Sequence, residues 1–139
     1  MLLLDTHIWL WSVELLVRRL GRRARQMISR AQSHGNIRVS PVSLFEIASL
    51  HAAGRLRLSR SPEQWIRDSL ETPGVHIAEL SPAIAIDAGS ISREGLADPM
   101  DRLLVATARQ LDATLMTSDT RILDYAAQTG NVRVHNRST

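Results

Sequence analysis

Four acidic residues stand where a chain of alternating strands and helices brings side chains together. They are Asp5, Glu46, Asp101 and Asp119. Asp5 ends an apolar run that starts at residue 1, and Asp119 follows a second apolar run two residues after its end. Carboxylates gathered at one place repel each other unless a cation lies between them. The residue types therefore predict a site that binds divalent metal ions and acts on phosphodiester bonds.

Ligands that offer only oxygen favour hard cations, so the expected cofactor is Mg²⁺ or Mn²⁺, as one or two ions. Two such ions can activate a water molecule and stabilise the leaving oxygen of a displacement at phosphorus. No nucleophilic side chain is then needed. This fits a chain that has no cysteine and whose five histidines show no His-x-x-x-His spacing.

Helix-capping signals predict the elements that position these acids. Four dipeptides place an N-cap residue before a proline at the first helical position: Ser40-Pro41, Ser61-Pro62, Ser81-Pro82 and Asp98-Pro99. Together with the apolar periodicity, they predict helices near 7–19, 22–34, 41–53, 62–72, 82–94, 99–112 and 120–128. Glycines 21, 35 and 54 are expected to close the helices before them. Strands are predicted near 1–5, 36–40, 75–79, 113–117 and 131–134.

Strands that alternate with helices predict an α/β fold, a three-layer α/β/α sandwich around a mainly parallel sheet of about five strands. No linker divides the chain, so we expect a single domain over 1–139. The expected strand order 3-2-1-4-5 makes the first and fourth strands neighbours, where ligands bind outside the carboxyl ends. Asp5 and Asp119 would then share one edge. Glu46 and Asp101 lie early in helices that begin near the same edge.

Each acid also has a structural explanation, which the sequence leaves open. Asp5 could cap the helix that follows it, Asp119 could be a turn or N-cap residue, and Asp101 could form a capping pair with Asp98. Glu46 is the hardest to explain in this way, because it lies inside the most apolar helix of the chain. We therefore expect all four acids at the site, with Asp98 as an auxiliary ligand.

All 17 basic residues are arginines, and the formal net charge is +3. An arginine-only surface suits phosphate contacts, although a coding bias toward arginine would also explain it. A cluster of arginines is either a solvated helix face or a surface that binds RNA or an acidic partner. Its candidate RNA contacts are Arg18, Arg19, Arg22 and Arg23. No apolar stretch approaches the roughly 18 residues of a membrane span, and Asp5 interrupts any signal peptide. The lack of cysteine suits a reducing bacterial cytoplasm.

Three other classes with acidic or glycine-rich sites fit less well. Phospho-receiver domains and haloacid-dehalogenase phosphatases require a lysine, and this chain has none. A phosphatase of that kind would also need Asp-x-Asp after the first strand, where His7 stands instead. A dinucleotide-binding domain needs G-x-G-x-x-G, and no G-x-G occurs. The remaining alternative is a non-catalytic module whose acidic pocket docks a protein partner.

The motifs resemble those of a PIN-domain ribonuclease, most closely the VapC-type toxins of bacterial toxin–antitoxin pairs. The resemblance rests on three segments that together span most of the chain: LLLDTHIWLW (2–11), VSPVSLFEIASLHAAGRLRL (39–58) and DPMDRLLVATARQLDATLMTSD (98–119). It implies an acidic site made of Asp5, Glu46, Asp101 and Asp119. The accessory hydroxyl residues would be Thr6, Thr117 and Ser118. The helix-leading segment DRLLVATA favours Asp101 over Asp98 as the third acid.

The same resemblance implies metal-dependent endonucleolytic cleavage of RNA, of the tRNA or rRNA class. It also implies a homodimer and a small VapB-like antitoxin that neutralises the toxin, with DNA contacted only through that antitoxin. No membrane association is expected.

Overall fold

Five short strands form one sheet, and seven helices cover it in a computed structural model that describes residues 1–139. The strands are β1 (Leu2–Leu4), β2 (Ile37–Val39), β3 (Val75–Ile77), β4 (Thr114–Thr117) and β5 (Val134–Asn136). The helices are α1 (Thr6–Val13), α2 (Arg22–Ser33), α3 (Pro41–Ala52), α4 (Pro62–Leu70), α5 (Pro82–Ser90), α6 (Pro99–Gln110) and α7 (Thr120–Thr129). No helix has the length and apolar composition needed to cross a membrane.

The strand order is β3-β2-β1-β4-β5 and every neighbouring pair is parallel, which confirms the predicted topology. Leu4 at the end of β1 pairs with Val39 of β2 and with Met116 of β4. The next residues of all three strands therefore leave the sheet at one edge. This edge, which we call the carboxyl edge, is where strand order reverses and where a ligand is expected.

The sheet separates two apolar cores, because successive side chains of a strand point to opposite faces. Leu3 packs with α6 and α7 on one face. Leu2 and Leu4 pack with α1, α2 and α4 on the other, where the Trp9 and Trp65 rings meet edge to face at 5.0 Å. The three-layer arrangement predicted from the sequence is confirmed.

All four predicted serine–proline or aspartate–proline helix starts are confirmed. The side chains of Ser40, Ser61, Ser81 and Asp98 each accept a hydrogen bond from a backbone N–H in the first turn, at 2.9 to 3.2 Å. Proline at the first helical position costs no helical hydrogen bond, since the N–H that it lacks would have had no partner inside the helix.

Helix α5 ends at Ser90 instead of 94, and three other boundaries also differ clearly from the prediction. Helix α1 ends at Val13 instead of 19, because Leu15 adopts a left-handed conformation (φ 57°) and residues Val17–Arg19 form a separate 3₁₀ turn. Gly21 begins α2 as its N-cap, with φ −64°, and does not close the preceding helix. Strand β5 covers 134–136 instead of 131–134, since Leu115 of β4 pairs with Val134.

Candidate active site

Asp5 joins the ends of the two central strands. Its backbone N–H donates to Met116 O of β4 at 3.0 Å. One carboxylate oxygen accepts from the Thr6 backbone N–H at 2.7 Å, so Asp5 does cap α1. The other accepts from the Thr117 hydroxyl at 2.6 Å. The structural role that the sequence left open is therefore real, and it coexists with a position at the carboxyl edge.

Thr117 connects Asp5 to Asp119. Its hydroxyl accepts from the Asp119 backbone N–H at 3.0 Å while it donates to Asp5. Asp119 also caps α7 by accepting from the Arg121 backbone N–H at 2.8 Å, and the Arg121 Nε lies 3.5 Å from the same carboxylate. The Ser118 side chain makes no hydrogen bond. Of the two neighbouring hydroxyls, Thr117 is therefore the one that contacts the acids.

Glu46 is held over α1 by a second hydroxyl. Thr6 Oγ1 donates to Glu46 Oε1 at 2.9 Å and lies 3.0 Å from Ser43 Oγ. Thr6 and Ser43 are both buried. Sequence reasoning missed Ser43; the signal available was its position three residues before Glu46, on the same face of α3.

Asp101 lies in the first turn of α6 and is buried, with 8% of its surface exposed. Its Oδ2 is buried without any hydrogen-bond partner. Asp98, by contrast, has an oxygen engaged by the Met100 backbone N–H at 2.9 Å. In the structure Asp98 is the cap of α6 and Asp101 keeps an unpaired oxygen; the choice of Asp101 as the metal ligand stays a prediction.

The pKa values show that the acids share one region of negative charge. Burial, then the charges of Asp119, Asp98 and Asp5, raises the Asp101 pKa to about 7. Burial also raises the Asp5 pKa, which the Thr117 and Thr6 hydrogen bonds lower in part. The Glu46 pKa is raised by burial and, more weakly, by Asp5 and Asp98, against the Thr6 hydrogen bond. Asp5, Asp98 and Asp119 thus each raise the pKa of a neighbouring acid, as expected for carboxylates that lie close together.

As the side chains stand, no three Asp, Glu or His residues are arranged so that they could hold one metal ion. Three of the five acids have an oxygen turned toward a backbone N–H as a helix cap: Asp5, Asp98 and Asp119. Carboxylates without a cation between them also repel. The fold therefore collects the acids at the carboxyl edge, but it does not by itself close them around an ion.

Comparison with known proteins decides the family. The family model of the PIN domain matches residues 2–128. Ribonuclease VapC22 of Mycobacterium tuberculosis is 32% identical over 124 residues, which cover 88% of this chain and 90% of that protein. The chain belongs to the PIN-domain family, among its VapC ribonucleases.

Solved structures share the fold of this PIN domain. A chain in the VapBC2 structure from Rickettsia felis, bound to a promoter DNA fragment, matches with a TM-score of 0.69 and 16% identity over 97% of both chains. A chain in the VapBC-1 structure from nontypeable Haemophilus influenzae matches with a TM-score of 0.65 and 19% identity, covering 99% of this chain and 98% of that one.

The four arginines proposed to contact RNA lie on the 3₁₀ turn and the first turn of α2. Arg18, Arg19, Arg22 and Arg23 are all exposed. None of them takes part in the four ion pairs of this PIN domain. Their charge is therefore not neutralised by the chain's own carboxylates. An RNA-binding role for them stays a prediction.

An apolar groove lies between α1, α2 and the start of β3 in this PIN domain. It encloses about 450 Å³, and its lining includes Trp9, Leu20, Ile28 and Val75. The indole N–H of Trp9 is buried without a hydrogen-bond partner. The groove continues to Leu15, whose side chain is 78% exposed. The groove lining contains Trp9 but not Trp11.

Proposed function

We propose that this PIN domain is the metal-dependent endoribonuclease toxin of a VapBC-type pair. The observation that carries the proposal is the buried Asp101 Oδ2, which has no protein partner and faces the charges of Asp119, Asp98 and Asp5. An acceptor that is buried and unpaired costs about 1–3 kcal/mol. A divalent cation would remove both this cost and the repulsion among the acids.

The side chains at the site are of the kind that binds such a cation. Asp5, Glu46, Asp101 and Asp119 would hold one or two Mg²⁺ or Mn²⁺ ions, with Asp98 as an auxiliary ligand, because all offer hard oxygen atoms. Bound divalent ions would supply an activated water and would stabilise the leaving oxygen at phosphorus.

The hydroxyls of Thr6 and Thr117 would orient the carboxylates of Glu46 and Asp5 through the hydrogen bonds already formed. Ion binding requires small rotations of the capping carboxylates away from their backbone donors. Each cap given up in this way costs about 1 kcal/mol, which the bound ion has to offset.

The substrate we propose is single-stranded regions of tRNA or rRNA, where an unstacked backbone can reach the acidic edge. Arg18, Arg19, Arg22 and Arg23 would bind its phosphates. Binding should therefore weaken as salt rises.

The test is cleavage of purified tRNA and rRNA by the isolated chain with Mg²⁺ or Mn²⁺. EDTA and Asp5→Asn should each abolish cutting, since Asn keeps the α1 cap but removes the charge. Asp124→Asn is the matched control, because Asp124 is exposed and has no hydrogen-bond or ion-pair partner. If the wild type cuts no RNA with either metal, and its expression without a partner does not slow growth, a non-catalytic module that docks a protein explains the acidic pocket better.

We also propose a VapB-like antitoxin as partner, and DNA contact only through it; two matched structures hold VapBC bound to DNA. An amphipathic segment would lie in the apolar groove, where a main-chain carbonyl could accept from Trp9 Nε1. A basic residue would reach the acids at the carboxyl edge. Co-expression with the product of the neighbouring small reading frame should yield a complex without nuclease activity. A complex that covers only a remote surface and leaves cleavage intact would contradict this.

A homodimer is part of the same proposal. Helix α5 leaves Ile86 74% exposed, and a second copy of the chain would cover this side chain. Light scattering on the purified chain should give twice the monomer mass of 15.5 kDa. A monomer at micromolar concentration would refute the dimer without affecting the nuclease assay.

A further inference from the structure

Two arginines from opposite ends of the chain meet over one tryptophan ring. The guanidinium carbons of Arg19 and Arg137 lie 5.5 Å and 5.4 Å from the centroid of the Trp11 ring. The imidazole of His7 lies 6.0 Å from the same ring. We call Trp11, Arg19 and Arg137 the Trp11 cluster. Of these three residues, only Arg19 is among the arginines that the sequence predicts to contact RNA.

The residues after β5 bring this cluster to the carboxyl edge. The Arg137 backbone N–H donates to Thr117 O at 3.1 Å, and the Gly21 N–H donates to Arg137 O at 2.6 Å. The Arg137 Nη1 donates to Arg19 O at 2.7 Å. Thr117 is the residue whose hydroxyl binds Asp5. The Arg137 backbone is therefore bonded to the residue that contacts Asp5.

The cluster lies at a distance from Asp5 that suits a neighbouring phosphate. Trp11 follows Asp5 by six residues along α1, which at 1.5 Å per residue amounts to about 9 Å along the helix axis. An extended backbone that reaches the acids would pass within reach of the two guanidinium groups.

Positive charge at the cluster has no anion within the protein. Neither Arg19 nor Arg137 belongs to any of the four ion pairs. A guanidinium that lies over an aromatic ring keeps its N–H groups free at its edges, because all five lie in its plane. Arg19 donates no side-chain hydrogen bond within the chain, and Arg137 donates only one. Two sets of edge donors are thus left for an anion with several oxygens.

We propose that the Trp11 cluster is a binding site for an RNA backbone phosphate next to the one that is cut. Trp11 holds the two guanidinium groups, and their edges bind the phosphate oxygens. This inference rests on the proposed RNA substrate of the acidic site. It adds a binding site made by the C-terminal residues, which lie outside the stretch of arginines on the 3₁₀ turn and α2.

The test is fluorescence anisotropy with a short labelled single-stranded RNA in EDTA, so that the probe stays uncut. Arg19→Gln and Arg137→Gln are compared with wild type and with Arg57→Gln. Arg57 is a suitable control because it is exposed, belongs to no ion pair and is not part of the Trp11 cluster. Thermal melting checks that the tail of each variant remains docked.

Each cluster variant should weaken binding roughly tenfold, as expected for one charge-assisted hydrogen bond. Each should also reduce the slope of log affinity against log salt concentration by about 0.7, the value for one phosphate contact on a single strand. A purely structural role would not change that slope for Arg19→Gln. If both cluster variants keep the slope of Arg57→Gln, or if the wild type binds no RNA, the inference is overturned. Cleavage with Mn²⁺ is measured separately, so a chain that binds through the cluster without cutting would contradict the proposed function alone.

Discussion

Replacing Asp101 by Asn should remove a pH-dependent loss of stability from the metal-free protein. Burial and the neighbouring acids raise the Asp101 pKa from its ordinary value of 3.8 to about 7. Between these two values the folded chain holds a proton that the unfolded chain has released. The stability of the wild type should consequently fall as pH rises through this window. Asn cannot ionise, so the variant should not show this loss.

The size of the effect follows from the shift. One pKa unit corresponds to about 1.36 kcal/mol. Between about pH 5 and about pH 7 the wild type should lose about 2 kcal/mol of unfolding free energy relative to Asp101→Asn, slightly less than two full pKa units because Asp101 is half ionised in the folded chain at about pH 7. The acids titrate as a coupled set, so this loss belongs to the cluster and not to Asp101 alone.

A contribution to the stability of Asp101→Asn that does not depend on pH must be separated from this titration effect. In the variant the Asn amide nitrogen takes the place of Asp101 Oδ2, an atom that is buried without a hydrogen-bond partner. An unpaired buried donor costs about 1–3 kcal/mol at every pH. Comparing the difference between variant and wild type at two pH values cancels this term.

Urea denaturation in EDTA, at about pH 5 and about pH 7.5, measures the difference. Asp124→Asn, on the exposed side of α7, is the matched control and should follow the wild type at both values. A gap between Asp101→Asn and wild type that is the same at both pH values would refute the reasoning. Asp101 would then be ionised throughout, and the acids would not share one region of negative charge.

Three further predictions test the site and its supports. Saturating Mn²⁺ should raise the melting temperature of the wild type but not of Asp5→Asn, since a hundredfold excess over Kd adds about 2.7 kcal/mol; an unchanged wild-type melting temperature would argue against the metal site. Asp98→Ala should lower the unfolding free energy by about 1 kcal/mol through the lost cap, while cleavage stays measurable; complete loss of cleavage would make Asp98 an essential ligand. Gly21→Ala should destabilise the chain, because the added Cβ would lie 2.5 Å from Ser138 O. Gly89→Ala is the matched control; its added Cβ meets nothing within 4 Å and should stabilise α5 by about 0.5–1 kcal/mol. Equal melting temperatures for the two variants would contradict the packing of the residues after β5 against Gly21.

The sequence by itself determined the topology and the place of the acids. Caps such as Ser40 and Asp98 act on backbone groups within three residues, so local sequence is enough to place helix starts. Strand β1 is apolar on both faces, which predicts a central parallel strand. Once the order 3-2-1-4-5 is given, Asp5 and Asp119 must meet at one edge.

Tertiary structure alone decided which oxygens are free. Asp98 and Asp101 are three residues apart and chemically alike, yet one caps a helix while the other is buried with an unpaired oxygen. The bond from Thr6 to Glu46 spans 40 residues, and that from Thr117 to Asp5 spans 112. Such pairings depend on how α1, α3 and β4 pack, which no local pattern encodes.

The same reason explains the missed end of α1 and the Trp11 cluster. A helical apolar pattern continues past Val13, but Leu15 turns into a left-handed conformation where the chain must reverse toward α2. Arg137 reaches Arg19 across 118 positions, through hydrogen bonds that exist only after β5 has paired with β4. Local propensity fixes elements over a few residues, whereas contacts between distant residues are set by packing.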